Sequence, residues 1–205
     1  MDELDYSIIS ALFVSKIVNN DPIEIVRKKK LLSKEIVEKR VTKMIDLGLV
    51  EKDGKTITEF GRNSVKIVLA GGVFDIIHPG HIHTLNEAKD LGDILVVVIA
   101  TDQTAQKMKK REPLHDQKSR QELVSSLSMV DLCIIGDDND IFRTVDNVKP
   151  DIIALGYDQA HQERFIVDGC RKLNLEITVS RLKTPIPETS SSTIEKEYGK
   201  DIHGI

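Results

Sequence analysis

The sequence predicts an α/β fold, an open and mostly parallel sheet with helices on both faces, preceded by a smaller and mainly helical module. Three observations predict it. From Val65 onward, short apolar runs rich in β-branched residues alternate with helical stretches. Residues 93–100, DILVVVIA, are continuously apolar in the way of a central strand buried on both faces. Residues 1 to about 63 lack that alternation and read as helices with a short extended tail. A chain of 205 residues has room for one medium domain and a small companion, so a division into 1–63 and 64–205 is expected.

The first module is built from three helices. Ile8, Ile9, Leu12 and Phe13 give the first helix one apolar face. Asp21-Pro22 opens a second, with proline at the favoured first position. Ser33 starts a third that carries Ile36, Val37, Val41, Met44, Ile45 and Leu47 and stops at Gly48. Residues 49–58 then read as a hairpin around Asp53-Gly54, a strong turn signal. Three helices and a hairpin resemble a winged helix-turn-helix, in which the third helix enters the major groove. Here that helix carries Lys34, Lys39, Arg40 and Lys43, with the basic run Arg27 to Lys30 before it. DNA is therefore one expected partner. Against it, residues 1–63 hold 12 Lys and Arg against 11 Asp and Glu, a near-neutral balance that suits dimerisation or docking equally well. A homodimer is the expected assembly.

The second module begins with the strand Lys66 to Ala70, followed by Gly71 and Gly72, which allow close backbone approach by a ligand. Pro79-Gly80 makes a turn, and from His81 to Leu91 a helix is expected, with Leu85, Ala88 and Leu91 at helical spacing. His81 therefore sits near a helix N-terminus, where free N–H groups and the helix dipole favour an anion. One histidine in a turn is as well explained by solvation, but a strand, two glycines, the pair His78 and His81 and a helix start together point to phosphate. After residues 93–100 the pattern gives a helix at 119–127 and strands at 132–135, 152–155 and 177–179, with helices at 141–147 and 162–173 between them. Ligands of such sheets bind at the C-terminal strand ends, where residues 71–81, Asp102 and Asp158 are expected to converge.

The segment GGVFDIIHPGH, residues 71–81, resembles the signature of the cytidylyltransferase-like nucleotidyltransferases, a His-x-Gly-His element behind a Gly-Thr-Phe-Asp or Gly-Val-Phe-Asp turn. The resemblance implies a Rossmann-like doubly wound parallel sheet. It also implies transfer of a nucleotidyl group from a nucleoside triphosphate to a phosphate-bearing acceptor, with release of pyrophosphate. On that reading His78 and His81 bind the triphosphate and stabilise the transition state rather than act as bases. Val73, Phe74, Pro79 and Gly80 supply the turn beside the nucleotide, while Asp75 holds the loop or meets the acceptor. Many relatives have Thr where Val73 stands, so one phosphate-donating hydroxyl is missing. Lys107, Lys109, Lys110 and Arg111 read as a basic loop that neutralises triphosphate or acceptor charge, with Arg120 as a further candidate. Asp158, in Gly156-Tyr157-Asp158, is expected at the sugar or base, although a helix cap explains it as well. Arg181 and the run Ser191, Ser192, Thr193 resemble the family's C-terminal serine-threonine element, which holds the β- and γ-phosphates.

Three stretches resemble the archaeal-type FAD synthases more closely: residues 71–93, 99–124 and KPDIIALGYDQ at 149–159. That implies ATP and FMN as substrates and FAD and pyrophosphate as products. Magnesium, as the divalent ion, would be carried by the triphosphate. Glycerol-3-phosphate cytidylyltransferase, using CTP, is the alternative within the family, and a nucleotide- or flavin-sensing DNA-binding regulator is the alternative outside it.

Other classes are disfavoured. No apolar run approaches the ~20 residues of a membrane helix, and MDELDY lacks the basic start and apolar core of a secretory signal, so a cytoplasmic protein without membrane contact is expected. Cys133 and Cys170 form no C-x-x-C pair and read as buried thiols. His78, His81 and His83 lack downstream partners for a tetrahedral zinc site, so no protein metal ligands are expected. The acidic run 137–140 reads as a helix cap. A net charge of −4 gives no global attraction to nucleic acid.

Overall fold

The computed structural model describes residues 1–18, 20–138 and 140–182. The chain divides into two compact units, Met1–Lys66 and Ile67 onward. No helix among the described residues is long and apolar enough to cross a membrane.

In the first unit, α1 (Glu3–Val18) buries Ile8, Ile9, Leu12 and Phe13 on its inner face. Asp21 caps α2 (Pro22–Lys30) by accepting the Ile23 N–H, and Ser33 caps α3 (Lys34–Asp46) by accepting the Ile36 N–H. Val37, Val41 and Met44 of α3 are buried, whereas Ile36 and Leu47, expected on the same apolar face, are about half exposed, at 49% and 54%. Gly48 leaves the helix at φ +71°, a left-handed exit that favours glycine. The expected hairpin contracts to a single antiparallel bridge, Val50 to Ile57. Its tip is organised by Asp53, whose carboxylate accepts the N–H groups of Lys55 and Thr56 and the Thr56 hydroxyl. A short helix, α4 (Glu59–Asn63), closes the unit.

The second unit is a five-stranded sheet in the order β3-β2-β1-β4-β5, with every pairing parallel. The strands are β1 (Ile67–Gly72), β2 (Ile94–Ile99), β3 (Leu132–Ile135), β4 (Ile152–Leu155) and β5 (Thr178–Arg181). Helices connect them: α5 (Pro79–Lys89), α6 (Asp102–Lys109), α7 (Gln117–Ser125), α8 (Ile141–Val148) and α9 (Glu163–Lys172), with a 3₁₀ segment at Tyr157–Gln162. The chain runs from β1 outward to β3 and then returns to the other side of β1 for β4. A doubly wound sheet opens its crevice at that reversal, beyond the C-terminal ends of β1 and β4. Both strands end in glycine there, Gly71-Gly72 and Gly156. Val68, Ala70, Leu95, Val97 and Ile99 pack with Leu85 and Ala88 of α5 and Val124 of α7 as one buried core. Both cysteines are buried free thiols, and burial pushes Cys133 up to about 12.

Two expectations change. Residues 102–109 form a helix rather than a basic loop, because Thr101 caps it by accepting the Thr104 N–H and Ala105 anchors it in the interior. Gly72 is needed by the protein's own packing as well as at the strand end. A Cβ there would stand 2.8 Å from the Phe74 ring, so the glycine makes room for the protein's own side chain.

Candidate active site

The histidine loop begins where β1 ends. Val73, Phe74 and Asp75 are buried at 7%, 6% and 2% exposure. Phe74 takes φ +53°, an uncommon backbone conformation for a bulky residue, and its ring lies tilted against His81 with centroids 5.1 Å apart. The chain then reaches His78, the N-cap of α5, whose imidazole makes no capping bond. Pro79 occupies the first turn, so α5 starts two residues before the sequence expectation and places His81 inside its first turn. The rings of His78 and His81 are 3.9 Å apart at 34°. Both therefore stand at the positive end of one helix dipole, beside a glycine-lined strand end.

Electrostatics keep this pair neutral. Burial pushes His81 down to about 4, and the charges of His78 and Lys109 push the same way, against a hydrogen bond to the Ile76 backbone. His78 is lowered as well, by burial and by Lys109. At neutral pH each imidazole is an uncharged ring with one N–H to give, next to a lysine ammonium. The buried Nδ1 of His81 has no hydrogen-bond partner among the described residues.

Asp75, Arg111, His115 and Arg120 hold the loop from behind. Asp75 accepts from Arg111 Nη1 at 2.9 Å and from the His115 N–H at 3.1 Å. Its backbone carbonyl accepts from His115 Nδ1 at 3.0 Å, which fixes that tautomer. Burial raises the Asp75 carboxyl, but the N–H groups of Leu114 and His115 and the Arg111 guanidinium together outweigh it and hold the group below the usual carboxylate range. Arg120 donates to the carbonyls of His115 and Val73 at 2.9 and 2.7 Å, and to Asp102 Oδ1 at 2.7 Å.

These contacts correct one sequence assignment and narrow another. Arg120 is wholly buried, so a phosphate does not reach it, and its guanidinium instead ties the Val73 turn to α6 and α7. Asp75 is enclosed as well, and its contacts fit the first of its two expected roles, holding the loop. Arg111 is committed to Asp75, which leaves Lys107 and Lys109, in the last turn of α6, and Lys110, its C-cap, as the cations of this segment without a carboxylate partner among the described residues.

The remaining candidates are dispersed. Asp158 lies in the 3₁₀ segment after β4, and its side chain is outside the described atoms. Arg181 ends β5 and pairs with Glu163 at 2.9 Å. Ser191, Ser192 and Thr193 lie outside the described residues. His83 stands on α5 within 3.6 Å of Glu87. His115 and Gln117, whose side chain accepts the Asp102 N–H, have no local sequence signal, since both act across 15 or more residues. No group of three His, Cys, Asp or Glu side chains among the described residues is placed to hold a metal ion.

Comparison with known proteins agrees with this architecture. Residues 69–197 match the cytidylyltransferase-like family model. The chain is 57% identical over 137 residues to the FAD synthase of Thermoplasma acidophilum, covering 67% of this chain and 96% of that protein. It is 49% identical over 126 residues to the FAD synthase of Picrophilus torridus, covering 62% and 90%. Among solved structures it is similar to the lipopolysaccharide core biosynthesis protein from Thermoplasma volcanium GSS1, at 46% identity and a TM-score of 0.56, over 58% of this chain and 98% of that one.

Proposed function

The chain belongs to the cytidylyltransferase-like family, and within it we propose that it is an FAD synthase, transferring AMP from ATP to FMN with release of pyrophosphate. The observation that carries this reading is the identity of 41–57% to archaeal proteins named FAD synthase, over most of the length of each. A phosphate oxygen of FMN attacks the α-phosphorus of ATP. The new P–O bond forms as the bond from the α-phosphorus to the bridging oxygen breaks, and pyrophosphate leaves with the electron pair. No protein nucleophile is needed. The barrier is lowered by holding two anions together and by stabilising charge on the transferring group and the departing pyrophosphate.

The residues at the end of β1 suit that work. His78 and His81 donate N–H groups to the triphosphate beside the first turn of α5, and Lys107 and Lys109 add positive charge from α6. A histidine held near pKa 4 is neutral and only weakly basic at neutral pH, so the pair contributes directed N–H donors rather than base catalysis. The negative charge of bound triphosphate raises both histidines and strengthens the donors when the substrate is in place. Arg120 and Asp75 act one layer out, fixing the Val73–Phe74 backbone on which the geometry depends. Asp158, Arg181, Ser191, Ser192 and Thr193 complete the nucleotide end. A divalent ion, magnesium by its chemistry, would enter with the triphosphate and offset its charge, without a ligand set from the described residues.

Incubation of the chain with ATP or CTP, each against FMN or glycerol-3-phosphate, with products separated by chromatography, tests the assignment. FAD and pyrophosphate from ATP and FMN are expected. CDP-glycerol without FAD would overturn it.

A further inference from the structure

The C-terminal ends of the strands also border a cavity of about 270 Å³ that the phosphate chemistry does not use. Gly71 of β1, Val98 of β2 and Leu155 of β4 line it, and Met108 of α6 with Ile141 and Thr144 of α8 face it from the helices. The cavity reaches Gly71-Gly72, the end of the strand from which the Val73–His81 loop departs, so it opens at the same strand end as the histidine loop. Among the described residues its lining carries a single ionisable group, Asp137, which makes it a poor home for phosphate and a good one for an uncharged ring. Its volume lies just below the roughly 300 Å³ at which small-molecule pockets begin, which suits a ring system rather than a whole nucleotide. Met108 and Ile141 are 54% and 45% exposed, and a planar ring entering between them would remove that apolar surface from water.

We infer that this cavity receives the isoalloxazine ring of FMN, so that Met108, Ile141 and Thr144 set the acceptor specificity while the adenosine lies elsewhere. The inference rests on the FAD synthase reading and adds to it the place and the chemistry of acceptor recognition. The dimethylbenzene edge of the ring meets the aliphatic lining, and Gln162 and Thr104, also in the lining, are the polar groups available to its dione edge.

Two measurements on the full chain test it. Lumiflavin, the ring without its ribityl phosphate, is titrated by fluorescence quenching, and steady-state KM values for FMN and ATP are measured in Thr144→Phe, Met108→Ala and Ile141→Ala. Thr144→Phe fills the cavity and is expected to abolish lumiflavin quenching and to raise the FMN KM about tenfold or more, with the ATP KM within about twofold. The two rim variants, whose exposed side chains leave folding intact, are expected to raise the FMN KM about threefold each. Unmoved FMN KM values in all three variants, or a rise in the ATP KM instead, overturn the inference and leave the function standing. Lumiflavin binding that Thr144→Phe abolishes, in a wild-type chain that makes no FAD, overturns the function and leaves the ring site standing. Failure of wild-type lumiflavin binding beside normal FAD synthesis overturns the ring site.

Discussion

Two basic helices, α3 in the first unit and α6 in the second, look alike in sequence and differ in what their charges can reach. On α3, Lys34 pairs with Glu38 at 3.6 Å and Lys39 with Glu35 at 2.8 Å, while Arg40 is drawn to Asp2 and to Asp5, the latter at 2.5 Å. On α6, Lys107 and Lys109 have no carboxylate partner among the described residues, and the Lys109 charge is felt by both histidines. A cation answered by its own helix spends its charge on local structure. A cation left unanswered next to neutral donors is available to an anion. Of the four α3 cations only Lys43 has no carboxylate partner among the described residues, so the comparison favours phosphate contacts by α6 over α3.

The largest effect that would break this contrast is at the histidines. His78→Ala or His81→Ala is expected to lower kcat about 10²- to 10³-fold with circular dichroism unchanged, since each removes a donor aimed at developing charge. Lys109→Ala comes next, with kcat/KM reduced about tenfold, or ~1.4 kcal/mol of transition-state stabilisation. The same variant should move the His78 pKa upward in an NMR titration, because the Lys109 charge helps hold it down. Acid gives a smaller, separable effect on stability. His81 takes up a proton near pH 6.5 when unfolded and near 4 when folded, so the unfolded state binds the proton first as pH falls. The stability tied to its burial is present above pH 6.5 and lost progressively down to about 4, and denaturant unfolding in His81→Gln should lose that part of the slope. Arg40→Ala is expected to lower the thermal midpoint of the first unit by stranding the buried Asp5 carboxylate, with turnover unchanged. Lys39→Ala is the smallest, within about twofold of wild type in activity and near it in stability, as exposed helical ion pairs are.

Much of the sheet was legible because its strands are written in long apolar runs. Residues 132–135 and 152–155 are strands at the expected boundaries, and the order of elements follows the alternation. The end of β1 was legible for a different reason: glycines, a Pro-Gly turn and paired histidines are local signals, and the structure keeps them together. α6 was not, because only Ala105 is buried in its eight residues and a polar helix leaves no periodic trace. The same lysines read as a loop until Thr101 is seen to cap the helix. Arg120 misled in the opposite direction. A charged residue invites a ligand role, and nothing near it in sequence announces that Val73, 47 residues away, supplies one of its acceptors. Gly72 likewise makes room for Phe74, a contact set by a left-handed backbone that the sequence does not display. The cavity was invisible for the most general reason: strands and helices from across the second unit build it, and none of them encodes it alone.

The central claim is that the loop from Val73 to His81 carries out adenylyl transfer to a flavin phosphate through neutral, half-buried histidines. Its most direct test is the time course of FAD formation from ATP, FMN and magnesium by the wild-type chain beside His81→Ala of unchanged circular dichroism. The account predicts FAD and pyrophosphate in equal amounts from the wild type and a loss of about 10²-fold or more in the variant. FAD formation undiminished by the substitution, or no FAD from the wild type, would contradict it.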